Sequence, residues 1–299
     1  MYTICDIMLL INFRKQKEEM MKKKFLVLSL AFMLVFSVTL AGCSGNGKGD
    51  SASNDDPIAD GTLSVAVDDT YLPMEFRDDQ NNLVGFDVDL AKAIGEDLGV
   101  KVDFTTVAWD GIFNGLNAKQ YDAIISSTSI TPERQEGFNQ TNPYVSNGIV
   151  IVSRKDATPV KTFEELAGKT VGVQLATTAD NGAQKLKEQT GTNVQIKQYD
   201  GMLDAFAALE GKQIDNVMTD VGVAMYYVAQ KPELFEVTSE VLTNEPIAVT
   251  VRKGEDAFTE KLNETLKKLQ ENGTMTEISM KWFGEDMTDN INSEIKVIE

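Results

Sequence analysis

Apolar residues along the body of the chain follow two alternating periods. Residues 63–67 show a period of two, which predicts a strand. Between residues 86 and 98 an apolar side chain recurs at every fourth position and Gly99 follows, so we expect a helix with a glycine cap. Similar patterns predict three further elements: a strand at 101–107, a helix at 109–118 and a short buried strand at 121–125. The order βαβαβ predicts a parallel sheet covered by helices.

The same pattern recurs in the second half of the body. The elements predicted there are strands at 169–173, 194–199 and 214–218, and helices at 179–189 and 202–209. A short motif repeats with them, because Trp109-Asp-Gly in the first unit matches Tyr199-Asp-Gly in the second. Two similar α/β units in one chain predict two lobes that face each other across a cleft.

Two stretches outside these units connect the lobes. Residues 149–152 and residues 246–251 each indicate a strand, and an amphipathic helix with apolar side chains between 258 and 269 follows. Two extended crossings predict a two-strand hinge, and the last helix must return to the first lobe to bury its apolar face. The fold class is α/β with two lobes, each a βαβαβ-based sheet with helices on both faces. The expected boundaries are 61–146 and 246–285 for lobe 1, 147–245 for lobe 2, and 286–299 for a C-terminal tail.

The N-terminal segment has the layout of an export signal. Three lysines at 22–24 precede a 16-residue, mostly apolar run at 25–40, and two small residues come before Cys43. The run is short for a membrane span, which needs roughly 20 residues. Residues 21–42 therefore predict a lipoprotein signal peptide, because Leu40-Ala-Gly-Cys resembles the bacterial lipobox, at which the cysteine is diacylated. Two acyl chains suffice for stable anchoring, and an uncleaved signal anchor is the alternative.

The composition of the residues before and after this signal predicts their roles. Residues 1–20 carry acidic side chains ahead of the basic stretch, so we expect translation to start at Met21. Residues 43–60 are rich in Gly, Ser, Asn and Asp without apolar periodicity, which predicts a flexible tether. We expect the mature protein on the extracellular face of the cell membrane, anchored through lipid on Cys43.

The overall composition excludes several classes of function. The 299 residues include no histidine, which rules out Ser-His-Asp or Cys-His nucleophiles and histidine-ligated zinc. The formal net charge is -18, and no Lys/Arg cluster follows the signal, so we expect no nucleic-acid partner. Of the two cysteines, Cys5 precedes the expected start and Cys43 is expected to be lipidated. We predict no disulfide, no metal and no cofactor.

The densest group of polar residues follows the predicted strand at 121–125. Four hydroxyl residues occupy 126–129, and Thr131-Pro132 fits a helix N-cap and its first position. Ligands of open α/β sheets bind beyond the carboxyl ends of the strands. Hydroxyl groups, free N–H groups and the guanidinium of Arg134 all donate hydrogen bonds, which suits a carboxylate. The alternative is an ordinary turn with a surface arginine.

The second unit offers complementary chemistry. Residues 173–178 form a strand end that leads into a threonine N-cap, and Asp220 follows the strand at 214–218. A carboxylate there could bind an ammonium group, or it could only cap the next helix. Arg134 from one lobe and Asp220 from the other would recognise a zwitterion across the cleft.

Five motifs carry a resemblance to a known family. They are residues 71–76 (YLPMEF), 84–92 (VGFDVDLAK), 109–111 (WDG), 122–134 and 272–284, with its Asn-Gly-Thr and Lys-Trp-Phe-Gly. In this order, residues 61–285 resemble the family 3 extracellular solute-binding proteins, the amino-acid receptors of ABC importers. The resemblance implies the two-lobed type II periplasmic-binding-protein fold.

The resemblance also implies roles for single residues. Arg134 matches the arginine that binds the ligand carboxylate, with Ser129 and Thr178 beside it. Asp220 matches the acid that binds the ligand ammonium, with help from the backbone carbonyl of Ser127. The side-chain pocket would contain the remaining three matches: the aromatic walls Tyr71 and Trp109, and the acid Asp68. The Gly85-Phe-Asp87 motif matches a structural segment, so we do not expect it in the site.

The implied function is that of a monomeric receptor that hands a polar amino acid to ABC permease subunits. Asp68 matches an acid that contacts the cationic side chain in relatives that bind basic amino acids, and Trp109 offers an aromatic face for a cation. The negative charge of the chain disfavours an acidic ligand. We therefore expect arginine, lysine or histidine as ligand. Glutamine, cystine or another polar amino acid is the alternative, and Asp68 would then be a turn residue. A dehydratase on the same fold is a further alternative, although we expect no enzyme.

Overall fold

The structure is a computed structural model that describes residues 56–298. Within these residues the chain forms two lobes, each organised by a five-stranded sheet. The strands of lobe 1 are β1 (Thr62–Val67), β2 (Thr70–Tyr71), β3 (Glu75–Arg77), β4 (Leu83–Val84), β5 (Lys101–Thr106), β6 (Ala123–Ile124), β7 (Phe138–Gln140) and β13 (Thr250–Arg252). Its helices are α1 (Phe86–Leu98), α2 (Trp109–Asn117), α3 (Pro132–Gly137), α7 (Asp256–Glu271) and α8 (Thr274–Phe283).

The sheet of lobe 1 has the order β5-β1-β6-β13-β7, and a small sheet of β2, β3 and β4 lies beside it. The first three strands of the larger sheet are parallel, whereas β13 is antiparallel to both of its neighbours. Alternate residues of β1 face opposite layers. Val65 packs in the cluster of α1, α7 and α8, while Ala66 packs with Ile112 and Leu116 of α2. Helices therefore cover both faces of this sheet.

Lobe 2 repeats this arrangement. Its strands are β8 (Ile149–Arg154), β9 (Thr170–Gln174), β10 (Gln195–Tyr199), β11 (Asn216–Asp220) and β12 (Phe235–Val237), and its helices are α4 (Thr178–Thr190), α5 (Met202–Glu210) and α6 (Val221–Gln230). A short 3-10 turn spans Glu164–Leu166. The order is β10-β9-β11-β8-β12, in which the first three strands are parallel and β8 is antiparallel to both of its neighbours. The predicted α/β fold with two similar lobes is confirmed.

Two crossing segments, residues 141–148 and 238–249, run side by side between the lobes. Tyr144 N donates to Ile247 O (2.8 Å), and Ile247 N donates to Val145 O (3.0 Å). The sequence predicts one strand over 246–251, but β13 begins only at Thr250. Before it, the backbone pairs with the hydroxyl-rich loop, because Ala248 N donates to Thr128 O (3.0 Å). The hinge is thus tied to the loop that follows β6.

Both ends of the described chain contact the lobes. Ile58 lies within the predicted tether, yet its side chain is buried in the core of lobe 1. At the other end, Asn244 and Lys296 exchange two backbone hydrogen bonds of 2.8 and 2.9 Å, and Ile298 packs on the core of lobe 2. The predicted signal peptide, Cys43 and the tether up to residue 55 lie outside the described residues. Among residues 56–298, no helix is both long and apolar enough to cross a membrane.

Candidate functional site

The carboxyl ends of the parallel strands in both lobes point into the cleft between them. One cavity there is lined by all eight residues predicted from the sequence: Asp68, Tyr71, Trp109, Ser127, Ser129, Arg134, Thr178 and Asp220. The structure therefore brings together side chains that are up to 152 positions apart in the sequence. The cavity has a volume of about 20 Å³, roughly one water position. It is this small because polar groups of the two lobes bond directly to each other.

The loop after β6 prepares one wall of this cavity. Thr131 accepts a hydrogen bond from Arg134 N (3.1 Å) and Pro132 opens α3, which confirms the predicted cap. Within the loop, Ser127 has a positive φ of 47°, a conformation that non-glycine residues rarely adopt. Its hydroxyl oxygen is buried without a hydrogen-bond partner among the described residues. Backbone and hydroxyl groups of this loop thus face the cleft.

Arg134 is held between aromatic rings at the start of α3. Its guanidinium carbon lies 5.4 Å from the ring centre of Trp109 and 5.2 Å from that of Phe113. Nη1 donates to the backbone oxygen of Ser129 (2.9 Å), so other N–H groups remain for a ligand. Burial lowers the pKa of Arg134, and the negative charges of Glu245 and Asp220 oppose that shift. The side chain stays cationic, because an arginine pKa lies far above neutrality.

Asp220 ends β11 and precedes α6, but its side chain makes no capping hydrogen bond. It accepts one from the hydroxyl of Tyr71 on the other lobe, at 2.7 Å between Oδ2 and the phenol oxygen. Burial raises the pKa of Asp220, while the hydroxyl of Tyr71 and the charge of Arg134 act in the opposite direction. The carboxyl group is therefore available to the cleft rather than to the helix.

Asp68, at the end of β1, uses its two oxygens differently. Oδ1 accepts from the hydroxyl of Thr70 (2.7 Å) and closes a turn. Oδ2 accepts from Nε2 of Gln174 in lobe 2 (2.6 Å), and burial raises the pKa of the carboxyl group. Asp68 is thus both a turn residue and a cleft residue, which the sequence could only offer as alternatives.

Trp109 and Thr178 complete the predicted set. The indole Nε1 of Trp109 donates to the backbone oxygen of Ala176 in lobe 2 (3.1 Å), which is a third hydrogen bond across the cleft. The predicted threonine cap of α4 is Thr177, whose hydroxyl oxygen accepts from Asp180 N (3.2 Å). Thr178 is therefore the first residue of the helix, and it lines the cavity without serving as the cap.

The structure adds residues that the sequence analysis missed. They are Glu75, Ser126, Gln174 and Thr177. Gln174 is fully buried at the end of β9, and its Oε1 has no donor among the described residues. A buried amide at a strand end is a signal that could have been noticed. Its partner Asp68 lies 106 positions earlier, however, and only the folded chain brings the two together.

Comparisons with known proteins agree with the two-lobed fold. The sequence profile of the bacterial extracellular solute-binding proteins, family 3, matches residues 63–285. ABC transporter arginine-binding protein 1 of Escherichia coli is 34% identical over 225 residues, which cover 74% of this chain and 90% of the relative. L-cystine-binding protein TcyJ of Escherichia coli is 30% identical over 260 residues, which cover 86% and 96%. An ancestral arginine-binding protein, solved bound to arginine, is 39% identical with a TM-score of 0.71, over 75% of this chain and 99% of that one.

Proposed function

The chain belongs to family 3 of the bacterial extracellular solute-binding proteins, and we propose that it binds a free basic L-amino acid, L-arginine first, between its lobes. One observation carries this proposal. A half-buried cation, Arg134, and a buried carboxyl group, Asp220, line one cavity from opposite lobes, as a zwitterion requires. A second carboxyl group, Asp68, lies in the same cavity for the ligand side chain.

The carboxylate and ammonium groups of the ligand would form hydrogen bonds to protein groups that, without ligand, bond to each other. Its carboxylate would bind Arg134, together with Ser129 and the hydroxyl of Thr178. Its ammonium group would bind Asp220, which now accepts the hydroxyl of Tyr71, and the backbone oxygen of Ser127. Charge-assisted hydrogen bonds of this kind are about twice as strong as neutral ones.

The side-chain end of the cavity favours a cation. Asp68 Oδ2 and Gln174 Oε1 are two acceptor oxygens, and the second has no donor among the described residues. A guanidinium carries five N–H donors, and it would stack between the rings of Tyr71 and Trp109. Glutamine and cystine are the alternatives, since one of the relatives is named for cystine. Glutamine would leave the Asp68 charge without a cationic partner, whereas cystine could offer it only the second ammonium group, which has a second carboxylate beside it.

The proposed mechanism is closure of the lobes about the two crossing segments. Neither lobe alone holds all of the ligand contacts, so the ligand favours the closed arrangement by its differential affinity. A cavity of about 20 Å³ admits no amino acid, and the lobes would therefore separate to take one up. In the closed form the protein, as a monomer, would dock on the permease subunits of an ABC importer.

A lipid on Cys43 would hold this receptor at the extracellular face of the membrane. Diacylation predicts that the full chain, expressed in a Gram-positive host, sediments with the membranes. We expect Cys43→Ser to move the protein into the medium or the soluble fraction, with ligand binding retained. Equal amounts of both proteins in the membrane fraction would contradict the anchor while leaving the receptor function intact.

A thermal-shift screen with the twenty amino acids and L-cystine tests the function itself. Only a ligand that binds the folded state raises the melting temperature. We expect the largest increase with L-arginine, saturable in calorimetry and with the ligand recovered unchanged. Failure of all twenty-one compounds would contradict the receptor. A new product in mass spectrometry would instead favour an enzyme such as a dehydratase.

A further inference from the structure

Two carboxyl groups lie completely buried behind the loop that follows β6. Glu75 begins β3 and Asp87 is the second residue of α1, and neither side chain has any exposed area. Gly85 makes their approach possible. A Cβ atom at Gly85, where φ is 140°, would lie 2.1 Å from the backbone oxygen of Met74. Without that atom, Asp87 N donates to Met74 O (2.9 Å), which places the two acids side by side.

The hydrogen bonds of the two acids differ. Asp87 accepts from Ser127 N (2.6 Å) through Oδ2 and from the hydroxyl of Tyr144 (2.8 Å) through Oδ1. Glu75 accepts from the hydroxyl of Ser126 (2.8 Å) through Oε1. Its Oε2 is buried, and no described group donates to it. Since the Asp87 carboxyl group lies within hydrogen-bonding reach of Glu75, a proton on Glu75 would provide the missing bond.

The surroundings determine which acid carries that proton. Burial raises the pKa of both groups, and the charge of Asp87, with a smaller effect of Asp68, raises the pKa of Glu75 well above its usual range. Asp87 has two donors and lies in the first turn of α1, where the helix dipole favours a negative charge. The other titratable groups that face the pair are Tyr71 and Tyr144, and burial raises the pKa of both phenols well above its ordinary value, so they stay neutral.

We infer that Glu75 and Asp87 share one proton, carried by Glu75, and that the ionised Asp87 positions the backbone of Ser127 at the amino-acid site. Ser127 has a φ of 47°, which costs energy and persists only where neighbouring groups hold it. The 2.6 Å hydrogen bond from Ser127 N to Asp87 Oδ2 holds the backbone in this conformation. This inference rests on the proposed function for the identity of the ligand, but the shared proton does not depend on it.

Two exchanges of a carboxyl group for an amide test the positioning role. Calorimetry would use L-arginine, or whichever amino acid gives the largest thermal shift. Asp87→Asn should weaken binding by about 10- to 100-fold, the size of a lost hydrogen bond to a charged group. Asp97→Asn, at the exposed end of the same helix, is the matched control and should bind like the wild type. An Asp87→Asn protein with wild-type affinity would overturn the inference.

Glu75 provides a rescue test. Glu75→Ala removes the donor to Asp87, and we expect an affinity loss similar to that of Asp87→Asn. In Glu75→Gln the amide can donate to Asp87 and still accept from Ser126, so most of the lost affinity should return. Equal losses in both variants would show that a protonated Glu75 is not what supports Asp87. If the wild type itself binds no amino acid, the proposed function is wrong. The binding data on these variants would then not contradict the shared proton of Glu75 and Asp87.

A measurement without ligand tests the proton directly. In wild-type protein labelled with ¹³C at the glutamate side-chain carboxyl, one resonance should keep the chemical shift of a protonated acid at pH 7. Glu75→Gln would assign it by its disappearance. If all glutamates of the folded protein show the ionised shift at pH 7, the inference is wrong, whatever the binding data show.

Discussion

The two lobes share one strand arrangement but contribute unequally to the cleft. Lobe 1 supplies Arg134, the loop with Ser127 and Ser129, Asp68 and both aromatic walls, whereas lobe 2 supplies Asp220, Gln174 and two threonines at the start of α4. The repeated motif shows the same division. Trp109 faces the cleft, but its counterpart Tyr199 lies against Gly172 within lobe 2. We therefore propose that duplicate architecture coexists with one lobe that is prepared for the ligand and one that closes over it.

If lobe 1 is the prepared half, its central cation should dominate the affinity. We expect Arg134→Ala to weaken amino-acid binding by roughly 2–5 kcal/mol, because a buried ligand carboxylate would lose its charged partner. Isothermal calorimetry measures this loss. Arg77→Ala is the matched control, since Arg77 belongs to the same lobe but pairs at the surface with Asp69. Unchanged affinity in Arg134→Ala would remove the site assignment altogether.

The acid of lobe 2 should matter somewhat less. Asp220→Asn removes the charge but keeps a group that can accept a hydrogen bond from the ligand ammonium. We expect a loss of about 1.5–3 kcal/mol, the usual value for a hydrogen bond to a charged group. Asp204→Asn, on the exposed side of α5, should leave calorimetric affinity unchanged. A loss for Asp220→Asn well above that of Arg134→Ala would reverse the proposed division between the lobes.

Substitutions at Gly111 and Gly201, the two glycines of the repeated motif, test lobe closure without removing a group that contacts the ligand. A Cβ at Gly201 would lie 2.7 Å from Thr70 Oγ1 of lobe 1, whereas one at Gly111 would meet nothing nearer than 4.0 Å. Gly201→Ala should therefore hinder closure and cost about 1 kcal/mol of affinity, as mild overpacking does. Gly111→Ala, the same change in the other copy, should bind normally. Small-angle scattering with saturating ligand would show whether Gly201→Ala remains more open, and equal profiles would contradict this account.

These contacts between lobes mark the limit of what the sequence predicts. Local periodicity places α5 and β10 within one residue of their observed bounds, because each depends on its own apolar face. Strands β2, β3 and β4 have only two or three residues and no period to detect. The eight predicted site residues do meet in one cavity, but their pairing across the cleft depends on tertiary structure. Gln174 and Glu75 were missed for that reason.

The smallest expected effect concerns pH and the side-chain end of the cleft. Burial raises the pKa of Asp68, so in the absence of ligand its proton adds stability at low pH, and that stability is lost as the pH rises through the raised pKa. A cationic ligand side chain favours the ionised form, and binding should release a proton in this range. Affinity for L-arginine should therefore fall as the pH drops toward and through that pKa.

L-glutamine makes this prediction specific to Asp68. Asp220 has a raised pKa too, and its protonation would weaken both amino acids through the ammonium group they share. Only arginine has a side-chain charge that the ionised Asp68 attracts. The affinity for L-arginine divided by that for L-glutamine should therefore fall by a few-fold on acidification. Asp68→Asn should make that ratio independent of pH. A ratio that stays constant in the wild type would place the arginine side chain away from Asp68, and the pocket would then fit a neutral amino acid better than a basic one.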